Sequence, residues 1–208
     1  MATPTADRPR IALLASGRGS NARALLDAVA AGDLVCSVVG LVANVADAPV
    51  LELARSRGIR AEAVPHKGLA REAHEEQLRA VLASMGAQHL LLAGYMRVLS
   101  ADFVHRWPGY LLNIHPSLLP EFPGLHAAER QWEARVPIAG ATVHFVDAGV
   151  DSGPVLLQGS LVVRGDEGAD GLAARLLTEV EHVIYPRAVR LFLDRLARGA
   201  LPPTPKRS

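Results

Sequence analysis

Asn113 and His115 stand two residues apart in the run Tyr110-Leu111-Leu112-Asn113-Ile114-His115, and three prolines, Pro116, Pro120 and Pro123, follow closely. An amide and an imidazole at the end of an apolar run can act together on a carbonyl. The amide donates to the oxygen, while the imidazolium protonates or stabilises the oxyanion as it forms. If the run is a strand, its period of two sends both side chains to one face. Asp151, in the glycine-rich segment VDAGVDSGP, would raise the pKa of His115 and keep it charged if the two were close. A plainer account fits the same residues: Asn113 caps a turn and His115 is a satisfied structural histidine. Residue types alone favour that account, because nothing in the sequence brings Asp151 to His115.

Other chemistries have less to build on. The eight histidines (His66, His74, His89, His105, His115, His126, His144 and His182) form no HExxH pair and no close Cys/His set. Cys36 is the sole cysteine and has no motif around it, and no GxSxG elbow occurs, so covalent catalysis is not expected either. No metal is expected.

A second candidate is SGRGSN, Ser16 to Asn21, placed between a short apolar run and a helical pattern. At such a junction free backbone N–H groups and the helix dipole favour an anion. The spacing Gly17-x-Gly19-x-x-Ala22 fits the loose dinucleotide fingerprint. A dinucleotide site, however, wants an acid closing the second strand, and here that strand ends Val42-Ala43-Asn44. Ser20 and Asn21 are better suited to a terminal phosphate. An ordinary N-cap would use the same residue types; the position after the first strand tips the reading toward phosphate.

The elements that must carry these residues alternate. Strands are expected at Arg10–Ala15, Val35–Ala43, Ile59–Val64, His89–Ala93 and Tyr110–Ile114, with helices at Ala22–Ala31, Ala48–Arg57 and Leu69–Met85. Near-continuous apolar strands alternating with helices specify an α/β fold with a mainly parallel, Rossmann-like central sheet and helices on both faces. Beyond Ile114 come strands at Thr142–Val146 and Val155–Val163. A last helix, Leu172–Leu196, is expected to kink or break at Pro186. No repeat or linker divides the 208 residues, so they read as a single domain with short tails at about 1–9 and 200–208.

Half of the chain is hydrophobic, enough for a sizeable core, and 22 basic residues balance 21 acidic ones. That balance argues against a nucleic-acid partner, which would want a concentrated basic face. One cysteine, no secretory h-region and no apolar run near the ~20 residues of a membrane span lead to the expectation of a soluble, cytoplasmic protein.

SGRGSN, LLAGYMRVLS, LLNIHPSLLPEFPGLHA, TVHFVDAGVDSGPVLLQ and EHVIYP occur in this order from about Ile11 to about Leu196. In them the chain resembles the phosphoribosylglycinamide formyltransferases of purine synthesis. The resemblance implies transfer of a formyl group from the co-substrate 10-formyltetrahydrofolate to the amine of glycinamide ribonucleotide, with no metal and no covalent enzyme intermediate. It implies a catalytic trio of Asn113, His115 and Asp151, with His115 as general acid. Gly19, Ser20 and Asn21 would hold the substrate's phosphate, and Glu181 would contact the ribonucleotide. Met96, Arg97, Val98 and Leu99 would line the folate side, together with Asn113 and the loop from Val146 and Asp147 to Asp151. Arg71 would lie near the folate's glutamate tail, where a cation suits a carboxylate.

Three positions depart from the family's pattern: Arg18 in the loop, Ala127 to Arg130 after PGLH, and Thr178 near the ribonucleotide. The partners implied are the two small molecules, with a homodimer left open. The rival activities are hydrolysis of formyltetrahydrofolate, formylation of transfer RNA or of a sugar nucleotide, and nucleotide binding without catalysis.

Overall fold

The computed structural model describes residues 8–202. Its centre is one seven-stranded sheet in the order β3-β2-β1-β4-β5-β6-β7. The strands are β1 (Arg10–Ala15), β2 (Ser37–Ala43), β3 (Ala61–Ala63), β4 (His89–Leu92), β5 (Leu111–His115), β6 (Ile138–Phe145) and β7 (Val155–Val162). Strands β3, β2, β1, β4 and β5 are parallel; β6 and β7 are antiparallel additions.

The parallel strands are apolar throughout because both faces are covered. Ile11, Leu13 and Ala15 of β1 join one core and Ala12 and Leu14 the other. The first core takes in Leu25 and Leu26 of α1 (Ser20–Ala30), Val50 and Leu51 of α2 (Val50–Arg55) and Val189 and Phe192 of α7 (His182–Ala197). The second takes in Leu78 and Leu82 of α3 (Arg71–Ser84) and Phe103 and Val104 of α4 (Ala101–Arg106). Leu78 and Leu82 lie four apart and are completely buried; each contributes roughly 1.5–3 kcal/mol.

Three features differ from the sequence expectations. Strand β6 begins at Ile138, four residues before Thr142, because pairing with β7 recruits Ala139, Gly140 and Ala141, whose small side chains carry little pattern. Gly140 is needed there: a Cβ would lie 2.3 Å from the Gly159 carbonyl and 2.5 Å from Leu118. Helices α4 and α5 (Ala127–Glu133) are too short to show a period. The irregularity expected at Pro186 lies one turn earlier. After α6 (Gly168–Arg175) the chain forms a π-helical turn, Leu176–Glu181, in which His182 N–H reaches back to the Leu177 carbonyl, and α7 then runs on through Pro186.

Of the expected tails, residues 1–7 and 203–208 lie outside the described residues. The Pro202 carbonyl accepts a 2.7 Å hydrogen bond from the Tyr110 hydroxyl.

Candidate active site

Strand β5 delivers Asn113 and His115 to the carboxyl end of the sheet. Leu112 and Ile114 enter the core shared with α1 and α7, so the alternation turns Asn113 and His115 to the opposite face. The loop between β6 and β7 brings Asp151 to them. Asp151 Oδ2 lies 3.2 Å from His115 Nδ1 and accepts the Gly124 N–H at 2.9 Å. Its Oδ1 lies 3.4 Å from Asn113 Nδ2. Asp151 adopts φ 53°, in the left-handed region that aspartate tolerates better than most side chains.

A second histidine completes the cluster. The antiparallel register sets His144 directly opposite Asn113, with His144 Nε2 3.3 Å from Asn113 Nδ2 and 3.5 Å from Asp151 Oδ1. His144 Nδ1 donates to the Phe145 carbonyl at 2.9 Å, which leaves Nε2 as the acceptor in the neutral ring. Sequence reasoning assigned His144 no role. In TVHFV it reads as one more buried strand position, and only the cross-strand register reveals its neighbours.

The electrostatics depart from expectation at His115. Burial pulls its pKa below the ordinary 6.5, and the Phe122 carbonyl and Asp151, which act to raise it, do not recover the difference. Both ring nitrogens of His115 face acceptors, Nδ1 the Asp151 carboxylate and Nε2 the Phe122 carbonyl. Its Nε2 bonds the Phe122 carbonyl at 2.9 Å, while the Ser117 hydroxyl bonds the Glu121 and Phe122 carbonyls of the same loop. At Asp151 burial acts to raise the pKa, but a bond from His144 once its ring is protonated, the bond from Gly124 N–H, and the positive charges of protonated His115 and His144 outweigh it and bring the value to about 2.

The trio lines a cleft of about 290 Å³ with Met96, Arg97, Val98, Leu99, His144, Val146 and Asp147. Among its lining residues Met96, Val98, Leu125 and Val150 are large apolar side chains left exposed, 52–70% by area. Such a surface suits a flat ring system. Arg71 is exposed at the start of α3 and is not among the residues lining this cleft.

A second cleft, of about 410 Å³, is lined by Ser16 to Asn21, Leu177 and Glu181, and shares Gly94, Met96, Ile114 and Pro116 with the first. The helix cap here is Gly19, at φ 75°, with no side-chain capping bond. Ser20 and Asn21 are thus inside the helix and the first N–H groups stay uncapped, as an anion seat requires. Asn21 Nδ2 donates to Glu181 Oε2 at 2.6 Å across 160 residues of sequence. Both are buried, and among the described residues Asn21 Oδ1 has no partner. Burial raises the Glu181 pKa against the lowering effect of that bond.

The departures find places too. Arg18 is exposed on the second cleft's loop. Arg130 Nη1 donates to the Pro123 carbonyl at 2.6 Å and its guanidinium lies 5.7 Å from the Phe122 ring centroid, bracing the loop behind His115. Thr178 is exposed and bonds back to the Ala174 carbonyl at 2.9 Å. Among the described residues no group of three or more His, Cys, Asp or Glu side chains is arranged to hold a metal ion, and no helix is long and apolar enough to cross a membrane.

Comparison with known proteins gives a consistent result. Residues 9–189 match the formyl transferase family. The phosphoribosylglycinamide formyltransferase of Escherichia coli (strain K12) is 40% identical over 88% of this chain and 87% of its own length. The trifunctional purine biosynthetic protein adenosine-3 of Drosophila melanogaster is also 40% identical, over 91% of this chain, but the chain spans only 14% of that protein's length. Among solved structures, glycinamide ribonucleotide transformylase 1 from Symbiobacterium toebii superposes with a TM-score of 0.88 at 40% identity, covering 93% of this chain and 92% of that one. By its family match and by its similarity to full-length bacterial relatives, the chain belongs to the formyl transferase family, among the phosphoribosylglycinamide formyltransferases.

Proposed function

We propose that this protein transfers the formyl group of 10-formyltetrahydrofolate to the primary amine of glycinamide ribonucleotide in purine synthesis. The observation that carries the reading is the meeting of two clefts along Gly94, Met96, Ile114 and Pro116. One has an uncapped helix start for a phosphate; the other has apolar walls for a ring and the Asn113–His115–Asp151 cluster. A donor and an acceptor seated in them bring amine and formyl carbon together, and such positioning is a large part of what direct transfer requires.

In this reading the amine attacks the formyl carbon, and the carbonyl oxygen becomes an oxyanion that accepts from Asn113 Nδ2 and from His115. The two contacts of Asn113 Nδ2, at 3.3 and 3.4 Å, are long, so an incoming oxygen can take one of its protons. The proton released by the attacking amine passes to Asp151 or to water beside it, and on to His115. His115 then gives a proton to the departing folate nitrogen, releasing tetrahydrofolate. Its lowered pKa makes the imidazolium a stronger acid, which suits a group that gives its proton away. Gly19, Ser20 and Asn21 hold the phosphate and Glu181 the ribonucleotide. Met96 to Leu99 and Val146 to Asp151 enclose the folate ring.

The test is formyltetrahydrofolate turnover with and without glycinamide ribonucleotide, following tetrahydrofolate. Product that depends on the ribonucleotide supports the transferase; equal rates in its absence would identify a hydrolase.

A further inference from the structure

The loop that lines the second cleft is bonded directly to the wall that lines the first. Past the ends of β1 and β4 the ladder continues: Ala93 N–H donates to the Leu14 carbonyl at 2.8 Å and Ser16 N–H to the Gly94 carbonyl at 3.0 Å. The next donor, Met96 N–H, is taken by the Ser16 hydroxyl oxygen at 2.7 Å instead of by a backbone carbonyl. Gly94 and Met96 line both clefts, whereas Ser16 lines the second. Among the described residues the Ser16 hydroxyl proton has no acceptor, and the group is half-buried at the cleft. A hydroxyl that accepts on one side and has a free proton on the other can relay polarisation between its two partners.

We infer that Ser16 is a positioning residue that couples the two substrate clefts, donating its hydroxyl proton to an oxygen of the ribonucleotide while its lone pair fixes Met96 and the folate wall. The inference rests on the two-substrate reading above. Until a ligand oxygen accepts from it, the hydroxyl proton is free to rotate while Oγ holds the Met96 N–H at 2.7 Å. A ligand oxygen that accepts from Ser16 fixes its rotamer and strengthens the bond to Met96, so the folate wall is set before the folate arrives. By linkage the effect is reciprocal: each ligand tightens the other by the same factor. One neutral hydrogen bond gained or lost corresponds to about fivefold in a binding constant.

The coupling is measured without turnover, using tetrahydrofolate, which carries no formyl group, and glycinamide ribonucleotide. Calorimetric titration gives the tetrahydrofolate Kd with and without saturating ribonucleotide, for the wild type, Ser16→Ala and Ser16→Thr. The wild type should bind tetrahydrofolate measurably more tightly when the ribonucleotide is present, by at most about fivefold. Ser16→Ala should bring that ratio to one, and Ser16→Thr, which keeps the hydroxyl, should restore it. A merely structural role would weaken both Kd values together and leave the ratio unchanged, which would overturn the inference; so would a wild-type ratio of one. A wild type that binds tetrahydrofolate but not glycinamide ribonucleotide would refute the two-substrate reading and the coupling with it.

Discussion

Asp151→Asn removes a charge and keeps a shape. In the wild type the donors around Asp151 bring its pKa from an ordinary 3.8 to about 2 in spite of burial. At ~1.36 kcal/mol per pH unit, that difference corresponds to roughly 2.5 kcal/mol in favour of the carboxylate. The Gly124 N–H, 2.9 Å from Oδ2, demands an oxygen there, so the asparagine NH2 must occupy the Oδ1 position. There it meets the Asn113 amide nitrogen, donor against donor, at the 3.4 Å that the wild type uses for attraction. The charge that the proposed reading uses to receive the amine's proton and steady the His115 imidazolium is gone. If the full 2.5 kcal/mol is used in the transition state, kcat falls by roughly 60- to 70-fold. The folate KM should move by less than about threefold, because the apolar walls are untouched. Initial rates following tetrahydrofolate at saturating ribonucleotide would show it; a kcat within threefold of wild type refutes the reasoning. A stability measurement gives an independent check. A carboxylate with a depressed folded-state pKa contributes stability that is present above pH 3.8 and lost as the pH falls toward 2. The variant should lack that acid-dependent loss.

Other outcomes follow from the same structure. His89 accepts the Tyr110 N–H on its Nδ1 at 3.1 Å and is buried, which brings its pKa to about 4. Its contribution, roughly 3 kcal/mol, is complete above pH 6.5 and lost as the pH falls toward 4; urea midpoints of wild type and His89→Gln should converge over that window. Gly19→Ala places a Cβ 2.2 Å from Val50 Cγ2 at φ 75°. It should cost about 1–3 kcal/mol in unfolding experiments and raise the ribonucleotide KM more than the folate KM. Glu181→Gln converts the acceptor of the 2.6 Å bond from Asn21 into an ambivalent amide. The ribonucleotide KM should rise about tenfold or more while the folate KM stays within twofold, and equal changes in both would count against its assigned place.

Much of the site was legible because its signals are local. The apolar run of β5 and the prolines behind it single out Asn113 and His115 as candidates without any knowledge of partners, although residue types alone favour a structural role for them. SGRGSN is likewise marked by a strand before it and a helix after it. What was illegible depends on distant pairings. His144 earns its place only through the antiparallel register that sets it against Asn113. The lowered pKa of His115 depends on how deeply β5 is covered, and a carboxylate at suitable distance could not reveal the effect of burial. Arg130, a departure from the family's pattern when read as letters, braces Phe122 and Pro123 once α5 starts at Ala127. The short helices α4 and α5 hold fewer than two full turns each, so no periodicity could announce them.

The π-helical turn at Leu176–Glu181 acts as a phase adjuster. Before it, Leu172 packs into the core; after it, Tyr185 must reach the Leu92 carbonyl, at 3.0 Å, while Glu181 meets Asn21. An uninterrupted α-helix advances 100° per residue and would offset one of these side chains from its target. The wide turn takes up the difference. Chain length in this segment is therefore held at two ends, by buried Leu172 before the turn and by Glu181 and Tyr185 after it. Thr178 and Glu179 between those ends are exposed, and Glu179 pairs with Arg175 at 3.1 Å. Their number cannot change: loss of one residue would rotate Glu181 out of its cleft or pull Tyr185 from beneath the sheet.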